Sequence, residues 1–261
     1  MKLQAQQLAY GYPERRIGHD VTFEVNAGEV LCLLGPNGSG KTTLFKTLLG
    51  LLPLQGGTVV VDGRHLITLR RDEIARLVSY VPQAHSAFFS YTVSEVVLMG
   101  RTAHLGLFDA PSTRDHDAAQ AAINRVGIAH LATATYTRIS GGERQLALIA
   151  RALAQQARMV VMDEPTANLD FGNQVRVLEC IRALAADGIG VLLSTHDPDH
   201  AFICADRVAM LHKGGLLACG SAEAVMTPAQ LQQLYGVEVM VTEVAVGPGR
   251  RRVCLPLGMH R

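Results

Sequence analysis

The sequence has little of what marks a secreted, membrane-spanning or nucleic-acid-binding chain. Its five cysteines are scattered, odd in number and form no C-x-x-C pair, which favours reduced thiols in a cytosolic setting over a disulfide framework. No apolar run approaches the roughly 18–20 residues that span a bilayer, and residues 1–7 contain no apolar signal-peptide core. A net charge of +1 gives no general attraction to nucleic acid or anionic lipid. Any membrane role is therefore expected to be peripheral.

The order of apolar patterns predicts an α/β fold with a helical insertion. Mostly apolar runs, typical of buried parallel strands, lie at 30–34, 78–81, 159–162 and 191–195. Residues 84–138 lack strong strand patterns, and their helical stretches at 93–100 and 116–126 predict the insertion. The first 28 residues suggest short extended segments, and glycine turns predict hairpins at 207–218 and 237–257.

A phosphate-binding loop is predicted between the first apolar run and a helix. The spacing G-x-x-x-x-G-K-[ST] covers Gly35, Pro36, Asn37, Gly38, Ser39, Gly40, Lys41 and Thr42, with Thr43 following. Backbone N–H groups of such a loop cradle phosphates, the lysine reaches the β- and γ-phosphates, and the hydroxyl of Thr42 ligates Mg²⁺. Leu44, Leu48 and Leu51 have the spacing of a helix whose N-terminus faces the phosphate. A plain glycine turn is the weaker alternative, and the chain is predicted to bind a nucleoside triphosphate.

Two carboxylates end the apolar run at 159–162. Asp163 is placed to hold Mg²⁺ through water, and Glu164 to polarise a water for attack on the γ-phosphate. A pair of acids before Pro165 could alternatively only cap the next turn. With a phosphate loop upstream, the catalytic interpretation is favoured.

His196, at the end of the last apolar run, is open to two interpretations. A lone histidine there is most often structural, although His200 four residues later invites a metal-ligand interpretation. Pro198 between them argues against one regular helical turn carrying both rings. A zinc site is therefore not expected.

A second helix N-terminus follows Ser140, Gly141 and Gly142. Its amides and positive dipole end could bind another anion. A helix N-cap explains Ser140 equally well. It does not explain two following glycines, because glycine weakens a helix start.

These motifs together resemble the ATP-binding subunit of an ABC transporter, and the resemblance covers nearly the whole chain. In chain order they are Walker A at 35–42, the Q-loop residue Gln83, the signature at 139–143, Walker B ending at Asp163-Glu164, the D-loop at 167–170 and the switch histidine His196. The signature is the most specific of them. Ile139 replaces its usual leucine, Glu143 its commonest glutamine and Leu146 an arginine common after it, and none of these changes the Ser-Gly-Gly core.

The resemblance implies roles for individual residues. Glu164 would be the catalytic base, His196 a γ-phosphate contact, and Gln83 a contact to Mg²⁺ and the attacking water. Tyr12 matches the aromatic residue that stacks on adenine, and Tyr10 matches it less well. The cofactors implied are ATP and Mg²⁺, the latter held by Thr42, Gln83 and Asp163.

The resemblance also implies a fold and an assembly. It predicts one ABC ATPase domain over 1–261, a P-loop NTPase with a RecA-like parallel-sheet core and an N-terminal antiparallel β subdomain at about 1–83 and 139–236. The helical subdomain spans about 84–138, and a β-hairpin tail about 237–261. Two cassettes would pack head to tail, so that Ser140, Gly141, Gly142 and Glu143 meet the nucleotide of the partner. The homodimer would lie on the cytoplasmic face of the inner membrane as a peripheral protein.

Residues 92–101 and 104–108, with Thr195 to Pro198 and 234–237, are similar to one importer group. That group takes up iron–siderophore, haem, cobalamin and, in some members, molybdate or tungstate, through a permease dimer and an extracytoplasmic binding protein. Metal-chelate import is favoured, with oxyanion import as the alternative. A soluble ABC ATPase usually has two cassettes or a long coiled coil, and a small-molecule P-loop kinase would lack both Ser140-Gly141-Gly142 and His196. No nucleic-acid partner is expected.

Overall fold

The computed structural model describes residues 1–83, 90–106, 108–247 and 249–258. Its strands are β1 (Lys2–Tyr12), β2 (Arg15–Asn26), β3 (Val30–Leu34), β4 (Gly56–Val61), β5 (Arg64–His65), β6 (Val78–Val81), β7 (Met159–Met162), β8 (Gly190–Thr195), β9 (Arg207–His212), β10 (Gly215–Ser221), β11 (Val239–Val246) and β12 (Gly249–Pro256). Its α-helices are α1 (Lys41–Leu48), α2 (Arg71–Leu77), α3 (Val93–Leu98), α4 (Thr113–Arg125), α5 (Gly141–Ala154), α6 (Phe171–Ala186), α7 (Pro198–Cys204), α8 (Ala222–Val225) and α9 (Pro228–Tyr235).

A six-stranded sheet forms the centre of the fold, in the order β10-β9-β3-β8-β7-β6. All its pairings are parallel except the β9–β10 hairpin. Strands β3, β7 and β8 are buried along their whole length, which explains why most of their residues are apolar. The carboxyl ends of these three strands lie at one edge, and the predicted parallel-sheet core is confirmed.

The first two strands are much longer than the sequence indicated. Instead of short extended segments, β1 and β2 run for 11 and 12 residues and pair antiparallel in a sheet of order β2-β1-β4-β5. Their register shifts at Leu8 and Tyr10, and Gln7 has a φ of +48°. Such irregularities interrupt the alternation of side chains while the backbone pairing continues. The antiparallel β layer itself is confirmed.

The helix after the phosphate loop ends earlier than its leucine spacing predicted. Leu44 and Leu48 are buried on α1, but Leu51 lies beyond the helix and is 53% exposed. Gly50, at a φ of +67°, turns the chain in the left-handed conformation that commonly follows a helix end. The prediction that Leu51 continues the buried face of this helix is therefore wrong.

Helices α3 and α4 confirm the two helical stretches predicted for the insertion. Residues 84–89 and Leu107, which fall within the predicted subdomain and the importer-like segment, lie outside the described residues. Arg101 joins the segment to α5, because its buried guanidinium donates to Asp115 Oδ1 at 2.9 Å and to the Ala154 carbonyl at 2.8 Å. Hydrogen bonds from Ser112 and Arg101 hold the pKa of Asp115 well below its usual range.

The C-terminal strands β11 and β12 pair in full register from Val239 to Pro256, as the predicted hairpin requires. Pro248 at its turn is not among the described residues. Val239, Val241 and Cys254 pack against the main hydrophobic core. None of the helices within the described ranges has the length and apolarity needed to cross a membrane.

Candidate functional site

The phosphate loop lies where β3 ends and α1 begins. Its backbone is fixed to the neighbouring strand, because the Gly35 N–H donates to the Thr195 carbonyl at 3.2 Å. Gly40 precedes α1 at a φ of +102°, and a Cβ there would approach Ile17 Cγ2 to 2.8 Å. Both the dihedral and the close contact therefore require glycine.

A cavity of about 400 Å³ opens over this loop. Its lining consists of Ile17, Asn37, Gly38, Gly40, Lys41, Thr42, Thr43, Gln83 and Glu164. The structure thus gathers most of the predicted ATP-binding loop with two predicted catalytic residues. Ile17 was missed by the sequence analysis, because a single apolar residue on a strand has no distinguishing pattern.

Lys41, Glu164 and His196 form a continuous chain of charged and polar groups. Lys41 is only 5% exposed, and its Nζ donates to the carbonyls of Gly35 and Pro36 at 2.8 and 3.1 Å. The same Nζ lies 3.2 Å from Glu164 Oε1, while Glu164 Oε2 lies 3.4 Å from His196 Nδ1. Glu164 therefore stands between the loop lysine and the histidine that follows β8.

Ser194, which the sequence analysis did not select, holds both Walker B acids. Its Oγ donates to Asp163 Oδ1 at 2.7 Å and accepts the Glu164 N–H at 2.9 Å. Glu164 has a φ of +47°, a sparsely populated conformation for a residue other than glycine. A polar residue inside the apolar run 191–195 was the available signal. Ser194 fixes the backbone and one carboxylate at the point where the candidate chemistry takes place.

The predicted magnesium ligands have suitable chemistry. Thr42 and Gln83 line the 400 Å³ cavity, and Asp163 is 2% exposed at the end of β7, next to Glu164. Hydroxyl, amide and carboxylate oxygens are the donors that Mg²⁺ prefers. The residues present therefore fit Mg²⁺.

A second cavity of about 330 Å³ continues from the first through Asn37, Gln83 and Glu164. His196 and the D-loop residues Ala167 and Asn168 line its far side. The predicted catalytic residues Gln83, Glu164 and His196 are thus brought together around one space. The D-loop had been noted only as a motif, and here it forms a wall of that space.

His196 and His200 have separate environments. His200 is buried, with its Nδ1 3.1 Å from Thr166 Oγ1 and its Nε2 3.5 Å from Asp197 Oδ2. Burial lowers the pKa of His200, which favours the neutral ring. His196 instead faces Glu164 from a half-exposed position. His200 is thus a structural histidine, and His196 is the one available for chemistry.

The two N-terminal tyrosines differ in accessibility. Tyr10 is fully buried, whereas Tyr12 ends β1 with 43% of its surface exposed. A ring that stacks on a base needs an accessible face. Tyr12 therefore remains the candidate for adenine contact.

The residues 140–143 do not line either cavity in the described part of the chain. Ser140 is the N-cap of α5, with the Glu143 N–H donating to Ser140 Oγ at 3.3 Å and the Ser140 N–H donating to Glu143 Oε2 at 2.7 Å. These hydrogen bonds lower the pKa of Glu143. The capping interpretation of Ser140 is thus correct within one chain, and Glu143 is part of the same cap.

The two glycines of this segment differ in their surroundings. A Cβ on Gly142 would lie 2.2 Å from Asn173 Cγ, so packing of α5 on α6 requires glycine there. A Cβ on Gly141 would meet only Leu169 Cδ2, at an ordinary 3.6 Å. Nothing within the described residues therefore requires glycine at position 141.

Gly141→Ala and Gly142→Ala therefore form a matched pair. The Gly141 variant is expected to keep the wild-type melting temperature while ATP turnover falls by about ten-fold or more, since a methyl group would obstruct an incoming phosphate. The Gly142 variant is expected to lower the melting temperature as well, because Asn173 must move. Thermal melts and steady-state ATPase rates measure both. Full turnover in the Gly141 variant would show that no ligand approaches that glycine.

The chain is similar to known proteins over most of its length. The family model described as "ABC transporter" matches residues 18–167. An uncharacterized ABC transporter ATP-binding protein of Haemophilus influenzae is 43% identical, covering 90% of this chain and 89% of that protein. A hemin import ATP-binding protein of Roseobacter denitrificans is 39% identical, with 92% and 93% covered. A molybdate import ATP-binding protein of Haemophilus influenzae is 34% identical, with 89% and 87% covered.

Among solved structures, an inward-facing metal-chelate type ABC transporter has a chain that superposes with a TM-score of 0.88. Its identity to this chain is 30%, and 98% of each chain is covered. The similarity includes the sheets, the helical segment and the C-terminal hairpin, since almost nothing of the chain is left out. The chain belongs to the ABC transporter family and is an ATP-binding, ATP-hydrolysing subunit of that family.

Proposed function

We propose that the chain is the motor subunit of an importer, coupling ATP binding and hydrolysis to the uptake of a metal chelate of the iron–siderophore, haem or cobalamin type. The observation that carries the proposal is Glu164, whose two carboxylate oxygens face Lys41 and His196. That arrangement places a base between a phosphate-binding cation and a second polar contact. The hemin and metal-chelate relatives support the direction of transport and the class of cargo.

The chain's own residues account for hydrolysis as follows. Lys41 Nζ would leave Glu164 for the phosphates of ATP, because a polyanion is the stronger partner for a cation. Glu164 Oε1 would then be free to accept a proton from the attacking water. His196 would contact the γ-phosphate, and Gln83 would orient the water. Ser194 would keep the Glu164 backbone fixed during this exchange.

Mg²⁺ would be held by Thr42, Gln83 and Asp163, and it would neutralise charge on the phosphates. The protein's part is to hold the three oxygen donors in place. Ser194 does so for Asp163, because its hydroxyl donates a hydrogen bond to the carboxylate. The start of α1 does so for Thr42, since Gly40 fixes the turn before it.

The site would be completed by a second copy of the chain. Ser140, Gly141, Gly142 and Glu143 form the start of α5, with Ser140 exposed, and they do not line the cavities around Lys41. In a head-to-tail homodimer they would meet the γ-phosphate bound to the partner's loop. Gly141, for which no contact among the described residues requires glycine, would allow that approach.

The homodimer would act with a permease dimer at the cytoplasmic face of the inner membrane. An extracytoplasmic binding protein would deliver cargo through the permease, and no nucleic acid would be involved. The core would comprise about 1–83 and 139–236, the permease-contacting helical subdomain about 84–138, and the tail about 237–261. The core would bind and hydrolyse ATP. The helical subdomain would transmit closure of the homodimer to the permease.

Cargo uptake by cells that lack this chain tests the proposal. Loss of haem, siderophore-iron or cobalamin uptake is expected, with recovery on expressing the wild-type chain but not Glu164→Gln. Uptake of radiolabelled molybdate, measured in the same cells, should be unaffected. Loss of molybdate uptake alone would establish the oxyanion alternative, which the molybdate import relative supports. Unchanged uptake of every cargo would favour a non-transport ABC ATPase.

A further inference from the structure

The backbone of His196 accepts a hydrogen bond from a residue in the C-terminal part of the chain. The Tyr235 hydroxyl donates to the His196 carbonyl at 2.9 Å. His196 lies in the short link between β8 and α7, whereas Tyr235 is the last residue of α9. The hydrogen bond therefore joins the candidate catalytic centre to an element 39 residues away in sequence.

Helix α9 holds the Tyr235 ring in a defined place. Leu231 and Leu234 are 0% and 3% exposed in the main core, and Gly236 ends the helix at a φ of +73°. Burial raises the pKa of Tyr235, so the phenol is protonated near neutral pH. A neutral phenol beside a carbonyl can only act as the donor.

A second connection reaches the same region from the hairpin. The Cys254 N–H donates to Asp199 Oδ1 at 2.8 Å, in the first turn of α7. The Asp199 N–H in turn donates to Asp197 Oδ1 at 2.9 Å, which caps α7. Helix α7 begins two residues after His196, so α9 contacts the link itself and the hairpin contacts the helix that follows it.

The His196 side chain needs such support because 49% of it is exposed. Its Nδ1 lies 3.4 Å from Glu164 Oε2, a separation that a small rotation of the backbone would change. Loss of alignment by about 1 Å is enough to reduce catalysis strongly. Hydrogen bonds that fix the His196 backbone are therefore expected to affect the rate of ATP hydrolysis.

We propose that Tyr235 is a positioning residue for His196, whose hydroxyl supports ATP turnover and leaves ATP binding unchanged. The inference rests on the role of His196 in the proposed function. Tyr235 lines neither of the two cavities beside Glu164, and its hydroxyl would act through the His196 carbonyl. Its effect should therefore disappear when the imidazole is removed.

Tyr235→Phe tests this, since it removes the hydroxyl and keeps the ring. The kcat for ATP is expected to fall about three- to ten-fold, the size of one lost hydrogen bond, with KM and melting temperature near wild type. In a His196→Ala background, measured by single-turnover hydrolysis, Tyr235→Phe should cause no further loss.

Thr227→Ala is the structural control on the same helix. Thr227 caps α9 through the Gln230 N–H, so its loss should lower the melting temperature while kcat stays at the wild-type value. A purely stabilising α9 would give the opposite pattern, with kcat following the melting temperature in both variants.

Three results would overturn the inference. They are wild-type kcat in Tyr235→Phe, a raised KM in place of a lowered kcat, or an equal further loss in the His196→Ala background. Wild-type turnover in His196→Ala alone would refute the role of His196 in the proposed function, and the positioning role with it. The failure of either claim is thus recognised separately.

Discussion

Replacing Lys41 with alanine is expected to weaken ATP affinity by about a hundred-fold or more, the scale expected for removing one buried, hydrogen-bonded charge. Lys41 Nζ is the cation beneath the phosphate-loop cavity, and it is preorganised by the carbonyls of Gly35 and Pro36. The variant also leaves Glu164 without its cation, which adds repulsion between that carboxylate and the phosphates. Titration with a fluorescent ATP analogue measures the loss directly.

Lys46→Ala, on the same helix and away from the loop, is the matched control. It removes an equal charge, yet ATP affinity should stay within about two-fold, because Lys46 does not line the phosphate-loop cavity. Circular dichroism confirms that both variants are folded. Unchanged affinity in a folded Lys41→Ala chain would refute the role of the lysine in binding phosphate.

Glu164→Gln is expected to abolish turnover while ATP still binds. An amide cannot accept the proton of the attacking water, so hydrolysis should fall by about 10²- to 10⁴-fold. Binding should be retained or tightened, because the neutral side chain no longer competes with phosphate for Lys41 Nζ. Phosphate release and nucleotide titration separate the two effects.

Glu179→Gln provides the control for that substitution. Glu179 is exposed on α6, and its neutralisation should leave both turnover and binding unchanged. Turnover of the Glu164 variant at the wild-type rate would exclude Glu164 as the base and would leave the Glu164–His196 contact without a catalytic meaning.

The phosphate loop, the Walker B acids and the helix start at Ser140 were predictable from sequence because each is a short, continuous motif. Residues 35–42 encode their own backbone geometry, and the unbroken apolar runs at 30–34 and 159–162 report burial on both faces of a parallel sheet. At these positions the residues that would carry the chemistry also determine the local backbone structure. The fold class follows from the same runs.

Contacts between distant residues were not predictable. Ser194 reaches Glu164 across 30 residues of sequence, and Tyr235 reaches His196 across 39, and neither has a periodic signature. The bulges of β1 concealed its length for a related reason, since alternation is lost where the register shifts. The role of Gly142 was likewise not predictable, because it depends on packing against Asn173.

The central claim is that ATP is hydrolysed in a site which a second copy of the chain completes. The molar mass of Glu164→Gln, measured by light scattering with and without saturating Mg²⁺ and ATP, tests it most directly. A mass of about twice the 28.1 kDa of one chain is expected when ATP is present, with reversion to one chain when Lys41→Ala is added. A mass of 28.1 kDa at saturating ATP would contradict the claim.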